Sequence, residues 1–179
     1  FSNDIENRLR KNFLGKQITT SLKKEKIQYL RELSKHHHAF LLNNIPMLYL
    51  NSFSQLVWMA RSNMIGNVLS IRCSISKNHF TKQSDKDLYE VAYYPICTIF
   101  KIMGTNYKEC TCKYIRNKNN IVYMILSIVF ENSIALVELG ENVNITEGIT
   151  ITGTMGKIYI LDKWWNLSYF KMKRQGEED

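Results

Sequence analysis

Residues 107–120, "YKECTCKYIRNKNN", interleave basic and aromatic side chains: Tyr107, Lys108, Lys113, Tyr114, Arg116 and Lys118. On a strand, successive side chains face opposite ways, so Lys113 alternates with Cys112 and Tyr114. Such a mixture suits a nucleic-acid backbone, because cations neutralise phosphates while rings stack on bases, each stack being worth roughly 1–3 kcal/mol. It equally suits a solvated hairpin whose lysines keep an edge strand from aggregating. Arg72, on the polar side of "NVLSIRCSIS", Lys101, after "CTIF", and Lys157, beside the glycines of "GTMGK", extend the candidate nucleic-acid surface. A second cluster, "DKWWNLSYFKMKR", combines Trp164, Trp165, Tyr169 and Phe170 with Lys163, Lys171, Lys173 and Arg174. These aromatics fit a partner-binding segment, and equally a core, since tryptophan buries much apolar area.

Other chemistry is excluded by spacing. His36, His37 and His38 are adjacent, and on a helix neighbours point about 100° apart, so they cannot converge on one ion. His79 lies near Asp85 and Asp87 without a nucleophile motif, and neither H-E-x-x-H nor G-x-S-x-G occurs. No G-x-x-x-x-G-K-[ST] loop is present to cradle nucleotide phosphates. The expectation is a chain that is not an enzyme and holds no metal or cofactor.

Charge sets the class of partner. Lys and Arg total 24 against 16 acids, a net charge of +8 that attracts polyanions. Nucleic acid leads; an anionic membrane surface is second. No apolar run reaches the 18 or more residues of a membrane span, the strongest being "IVYMILSIVF", so the chain reads as soluble with no membrane partner. Four cysteines without dense, even spacing fit a reducing compartment, and the nucleus is the expected location. The acceptor triplets at Asn144 and Asn166 are not expected to carry glycans, since no signal peptide is visible.

These side chains must be positioned by two textures of sequence. Up to residue 62 the pattern is helical: Ile5, Leu9 and Phe13, then Ile27, Leu30 and Leu33, then Phe53, Leu56, Val57 and Ala60, with Pro46 interrupting. From residue 63 to 179 β-branched alternation takes over. Leu69, Ile71, Cys73 and Ile75 share one strand face; "LYEVAYYPICTIFKIM", "YKECTCKYIR", "IVYMILSIVF", "SIALVEL" and "GITITGTMGKIYIL" read as further strands. In the last of these, Ile149 and Ile151 fall on one parity and Ile158 and Ile160 on the other. A β-bulge between Gly153 and Gly156 would produce that switch and bend the strand. The predicted fold is α+β: a helical subdomain over 1–62 and a small, closed, OB-like antiparallel β-barrel over 63–179.

That order, with "IPMLYLNSFSQLVWMARSNMIGNVLSIRCSIS" and "IALVELGENVNITEGITITGTMG", resembles the N-terminal domain of the minichromosome maintenance family. The resemblance implies a helical subdomain ahead of an OB barrel carrying a zinc hairpin. The hairpin departs from the family, because Cys97, Cys110 and Cys112 lack a fourth ligand unless Cys73 or His79 supplies it. The expected function is a noncatalytic OB module of a replication, recombination or telomere complex. It would bind DNA, single-stranded by preference, and assemble with protein subunits. The alternative is an adaptor whose barrel binds no nucleic acid.

Overall fold

In "VLSIRCSIS" every second side chain is apolar, and the segment forms strand β1, Val68–Ser76, with Ile71, Cys73 and Ile75 buried. The computed structural model describes residues 24–38, 45–76, 88–118 and 120–176. The chain divides into two compact units, 1–46 and 47–179. In the first, helix α1 (Lys24–His36) buries Leu30 and Ser34, four apart on one face. The expected helix around Ile5, Leu9 and Phe13 lies outside the described residues.

The second unit holds α2 (Asn51–Arg61), β1, the short α3 (Leu88–Val91), α4 (Tyr93–Met103) and six further strands. These are β2 (Glu109–Asn117), β3 (Asn120–Val129), β4 (Ile134–Gly140), β5 (Gly148–Gly153), β6 (Gly156–Leu161) and β7 (Lys171–Arg174). The strands make one seven-stranded sheet in the order β2-β3-β4-β1-β5-β6-β7. β1 and β4 run parallel, and every other neighbouring pair is antiparallel.

This is not the expected barrel. Closure would need β2 to pair with β7, whereas β2 pairs with β3 and β7 with β6, leaving both as edges of an open sheet. One cause lies in residues 88–103, expected as a strand and found as α3 and α4. The burial of Pro95, Thr98, Ile99 and Ile102 repeats at three to four residues, which is helical spacing. Pro95 sits in the first turn, where its missing N–H costs nothing. The Thr98 hydroxyl donates to the Tyr94 carbonyl, so its burial leaves no polar group unmet.

The parity switch has a different origin from the one expected. Ile149 pairs with Ile160 and Ile151 with Ile158, so the two sets belong to antiparallel strands joined by a turn through Thr154 and Met155. Chain reversal changes the parity while keeping all four isoleucines on one face. The bulges occur elsewhere, beside Leu69 in β1 and between Ile115 and Arg116 in β2.

Register aligns the apolar positions into a continuous surface. Met124, Leu126 and Ile128 of β3 oppose Leu139, Val137 and Ala135 of β4. These oppose Ile75, Cys73 and Ile71 of β1, which meet Ile149 and Ile151 of β5. Helix α4 packs against β1 and β4, with α2 against α4. Burying each such aliphatic side chain stabilises the fold by about 1.5–3 kcal/mol. Among the described residues of this unit, no helix packs on the opposite face.

Candidate functional site on the open face of the sheet

The face opposite that core is built from the residues that alternate with it. One row crosses every strand: Thr111, Ser127, Leu136, Arg72, Thr150, Tyr159 and Lys171. A neighbouring row runs Lys113, Ile125, Glu138 and Ser74, and a third runs Ser70, Thr152, Lys157 and Lys173. Among the described residues, two depressions open on these rows.

The first, of about 220 Å³, lies over Arg72, Ser74, Tyr123, Ile125 and Glu138. Tyr123 donates its hydroxyl to Glu138 Oε1 at 2.7 Å, and Ser74 Oγ donates to Oε2 at 3.3 Å. The bond to the carboxylate, then burial and the carboxylate's charge, raise the Tyr123 phenol above its ordinary range. Its polar groups thus serve one another and link β3, β4 and β1.

The second, of about 390 Å³, is lined by Thr152, Thr154, Lys157, Lys173, Arg174 and Gln175, with Gly153, Gly156 and Gly176 between them. Its wall is the β5–β6 turn, which is tied to the segment entering β1. Thr154 N–H donates to the Asn67 carbonyl at 3.0 Å, Met155 N–H to the Ile65 carbonyl at 2.9 Å, and Asn67 N–H to Thr154 Oγ1 at 3.0 Å. Two glycines permit this approach: a Cβ on Gly153 would overlap the Ile65 carbonyl oxygen, and one on Gly66, at φ 74°, would overlap Thr154 Oγ1. Lys157 and Lys173 are direct cross-strand partners, and Lys157 Nζ lies 5.4 Å from the centre of the Tyr159 ring.

The hairpin read from "YKECTCKYIRNKNN" is formed by β2 and β3, with every residue of β2 exposed. Arg116 sits over the Tyr114 ring at 5.0 Å, Tyr107 stacks on Phe100 at 6.2 Å, and Lys108 is ion-paired with Glu131. Lys118 is exposed at the end of the hairpin. Lys113 shares the open face with Arg72, but β3 and β4 intervene, a separation of about 14 Å at ordinary strand spacing. Glu138 stands between them, and Lys157 lies two strands beyond β1. Lys101 is on helix α4 and not on a strand beside Arg72. No common trough joins these cations.

Trp164 is buried, with its indole N–H donating to the Ser74 carbonyl at 3.1 Å; Trp165 meets it edge-on and is half-buried, as is Phe170. Of the four expected partner-binding aromatics only Tyr169 is exposed. All four cysteines are free. Burial pushes the Cys73 thiol far above its ordinary range and raises Cys97, against a smaller opposing effect of Lys101. Among the described residues no three His, Cys, Asp or Glu converge on a metal position.

Thr152, Tyr123 and Glu138 were not among the expected site residues, and Lys173 and Arg174 were read only as the basic part of the aromatic segment. A readable signal existed for one pairing: taking "GTMG" as a reversal places Thr152 opposite Lys157.

No protein-family model and no curated protein matches this sequence. Solved structures share its fold. KijD10, a 3-ketoreductase from Actinomadura kijaniata, in complex with NADP, superposes with a TM-score of 0.77 over 98% of this chain and 57% of its own, at 16% identity. In an open conformation in complex with TDP-benzene and NADP it gives 0.77 over 98% and 58%, at 15% identity. An oxidoreductase from Pseudomonas syringae gives 0.75 over 99% and 51%, at 15% identity. The chain therefore spans between 51% and 58% of the length of these neighbours.

The likeness corrects the functional expectations along with the fold. The OB module and its adaptor alternative both presuppose a barrel, and the sheet is open. The solved chains named above are a 3-ketoreductase and an oxidoreductase, not N-terminal domains of the minichromosome maintenance family. The expected replication, recombination or telomere role, the DNA and subunit partners and the noncatalytic character fall with the barrel.

Proposed function

We propose that these residues form the sheet-bearing part of an oxidoreductase of the ketoreductase kind, which uses a reduced nicotinamide dinucleotide to convert a ketone into an alcohol. The observation that carries this reading is the superposition of 98% of the chain on KijD10, a 3-ketoreductase in complex with NADP. The dinucleotide itself finds no fitting cradle here. Its pyrophosphate calls for G-x-G-x-x-G between a strand and a helix N-terminus. The eight glycines of this sequence do not take that spacing, and the G-x-x-G of Gly153 and Gly156 lies in a β-hairpin. When bound, the cofactor would supply the hydride; what these residues supply is the framework, a sheet covered by helices on one face and polar on the other.

The test uses the natural protein that carries these residues, incubated with NADPH or NADH and a panel of ketones that includes nucleotide-linked keto compounds. Consumption of the reduced dinucleotide with matching formation of alcohol is the expected result. Turnover of neither dinucleotide on any ketone would overturn the proposal.

A further inference from the structure

We propose that Cys110 and Cys112, on the outer strand β2, together bind one cuprous ion between their two sulfurs. The inference is independent of the oxidoreductase reading and rests on where the strand puts these thiols. Side chains two apart on a strand point the same way, so both project from one face of β2, the face that carries Ile128 and Leu126 on the neighbouring strand. Both are free and exposed, whereas Cys73 is buried and Cys97 half-buried. Strand β2 pairs with β3 along its length, and its irregularity falls beyond the two cysteines, between Ile115 and Arg116. The ladder therefore sets their spacing before any ligand arrives.

That spacing decides the chemistry. Two residues of antiparallel strand advance about 6.8 Å, at the far end of the Cα separations that a disulfide spans, so the pair is poorly placed to close on itself. A linear thiolate–metal–thiolate unit needs sulfurs about 4.6 Å apart, twice a bond of about 2.3 Å, and side chains turned toward each other at χ1 reach that separation. Ligand number narrows the choice of ion. Among the described residues no three His, Cys, Asp or Glu could hold an ion together, which does not meet the four ligands that a structural zinc takes. Directly opposite the cysteines stand Ile128 and Leu126, which offer no oxygen to a hard cation such as magnesium or calcium. Thiolates alone select a soft cation, and Cu(I) is the one satisfied by two of them. On binding, each thiol gives up its proton and forms a sulfur–copper bond; the copper stays cuprous and no electron is transferred.

The full chain, reduced and kept free of oxygen, is titrated into the coloured cuprous bicinchoninate complex, and the loss of colour is followed. One copper per chain should pass to the protein, and X-ray absorption should show a shell of two sulfurs. Cys110→Ser and Cys112→Ser should each abolish the transfer; both positions are exposed, and an unchanged far-UV circular dichroism spectrum verifies that the fold is kept. Cys97→Ser removes a thiol from helix α4 and should leave the transfer unchanged. No transfer to the unsubstituted chain, or full transfer to either β2 variant, would overturn the site. So would one copper per two chains, since the ion would then join two molecules instead of two cysteines of one strand.

Discussion

Trp164 is 1% exposed, yet its role is as much polar as apolar. β5 pairs with β1 only as far as Ser74, so the last groups of β1 on that side need other partners. The Trp164 indole takes the Ser74 carbonyl, and the Glu147 carboxylate accepts the Ser76 N–H at 2.6 Å. Trp164→Phe would keep most of the buried area and orphan that carbonyl. The expected loss is about 1–3 kcal/mol, the cost of an unmet buried acceptor. It should be read as a lower urea midpoint at unchanged slope. The sequence shows two adjacent tryptophans and nothing that says which one is internal. That is settled by where β5 begins, at Gly148, sixteen residues earlier in the chain.

At the scale of elements, the β2–β3 hairpin was legible and α4 was not. The hairpin is local: alternating basic and apolar residues, a polar turn, and a second alternating run define it with no help from the remainder of the chain. Residues 88–103 form a dense apolar run rich in aromatic and β-branched residues, a composition that serves a buried strand or a buried helix. Only the three-to-four repeat of its buried positions separates the two, and burial belongs to the folded state. β2 also carries a hazard, because its nine exposed residues end the sheet among the described strands. Lys113 and Arg116 place charge on that edge, which discourages pairing with another chain. Replacing both with valine should raise light scattering at a fixed concentration. An unchanged monodisperse signal would show that something else guards the edge.

For the molecule as a whole, the sheet's order ranks its stability. β1 and β4 lie at the centre, paired on both sides and covered by α4, whereas β2 and β7 are paired on one side. Amide hydrogen exchange should therefore be slowest in Ile71–Ile75 and Ala135–Leu139 and fastest in β2 and β7. Slow exchange in β2 equal to that of β1 would show that the hairpin is covered in solution. The same order separates the basic residues singled out by type. Arg72, Lys113 and Lys157 share a face without sharing a site, since intervening strands and Glu138 keep them apart.

By itself, the sequence determined what depends on near neighbours: the alternation of β1, the hairpin of β2 and β3, the strand character of "SIALVEL" and "GITITG", the helix over residues 51–61, and the cationic balance. The tertiary structure alone decided which strands lie side by side, whether the sheet closes, that Trp164 is core, and that Lys157 and Lys173 meet across a groove. The reason is physical. Periodicity is enforced residue by residue through backbone geometry, whereas strand order is chosen by the burial of one shared apolar surface whose parts lie far apart along the chain.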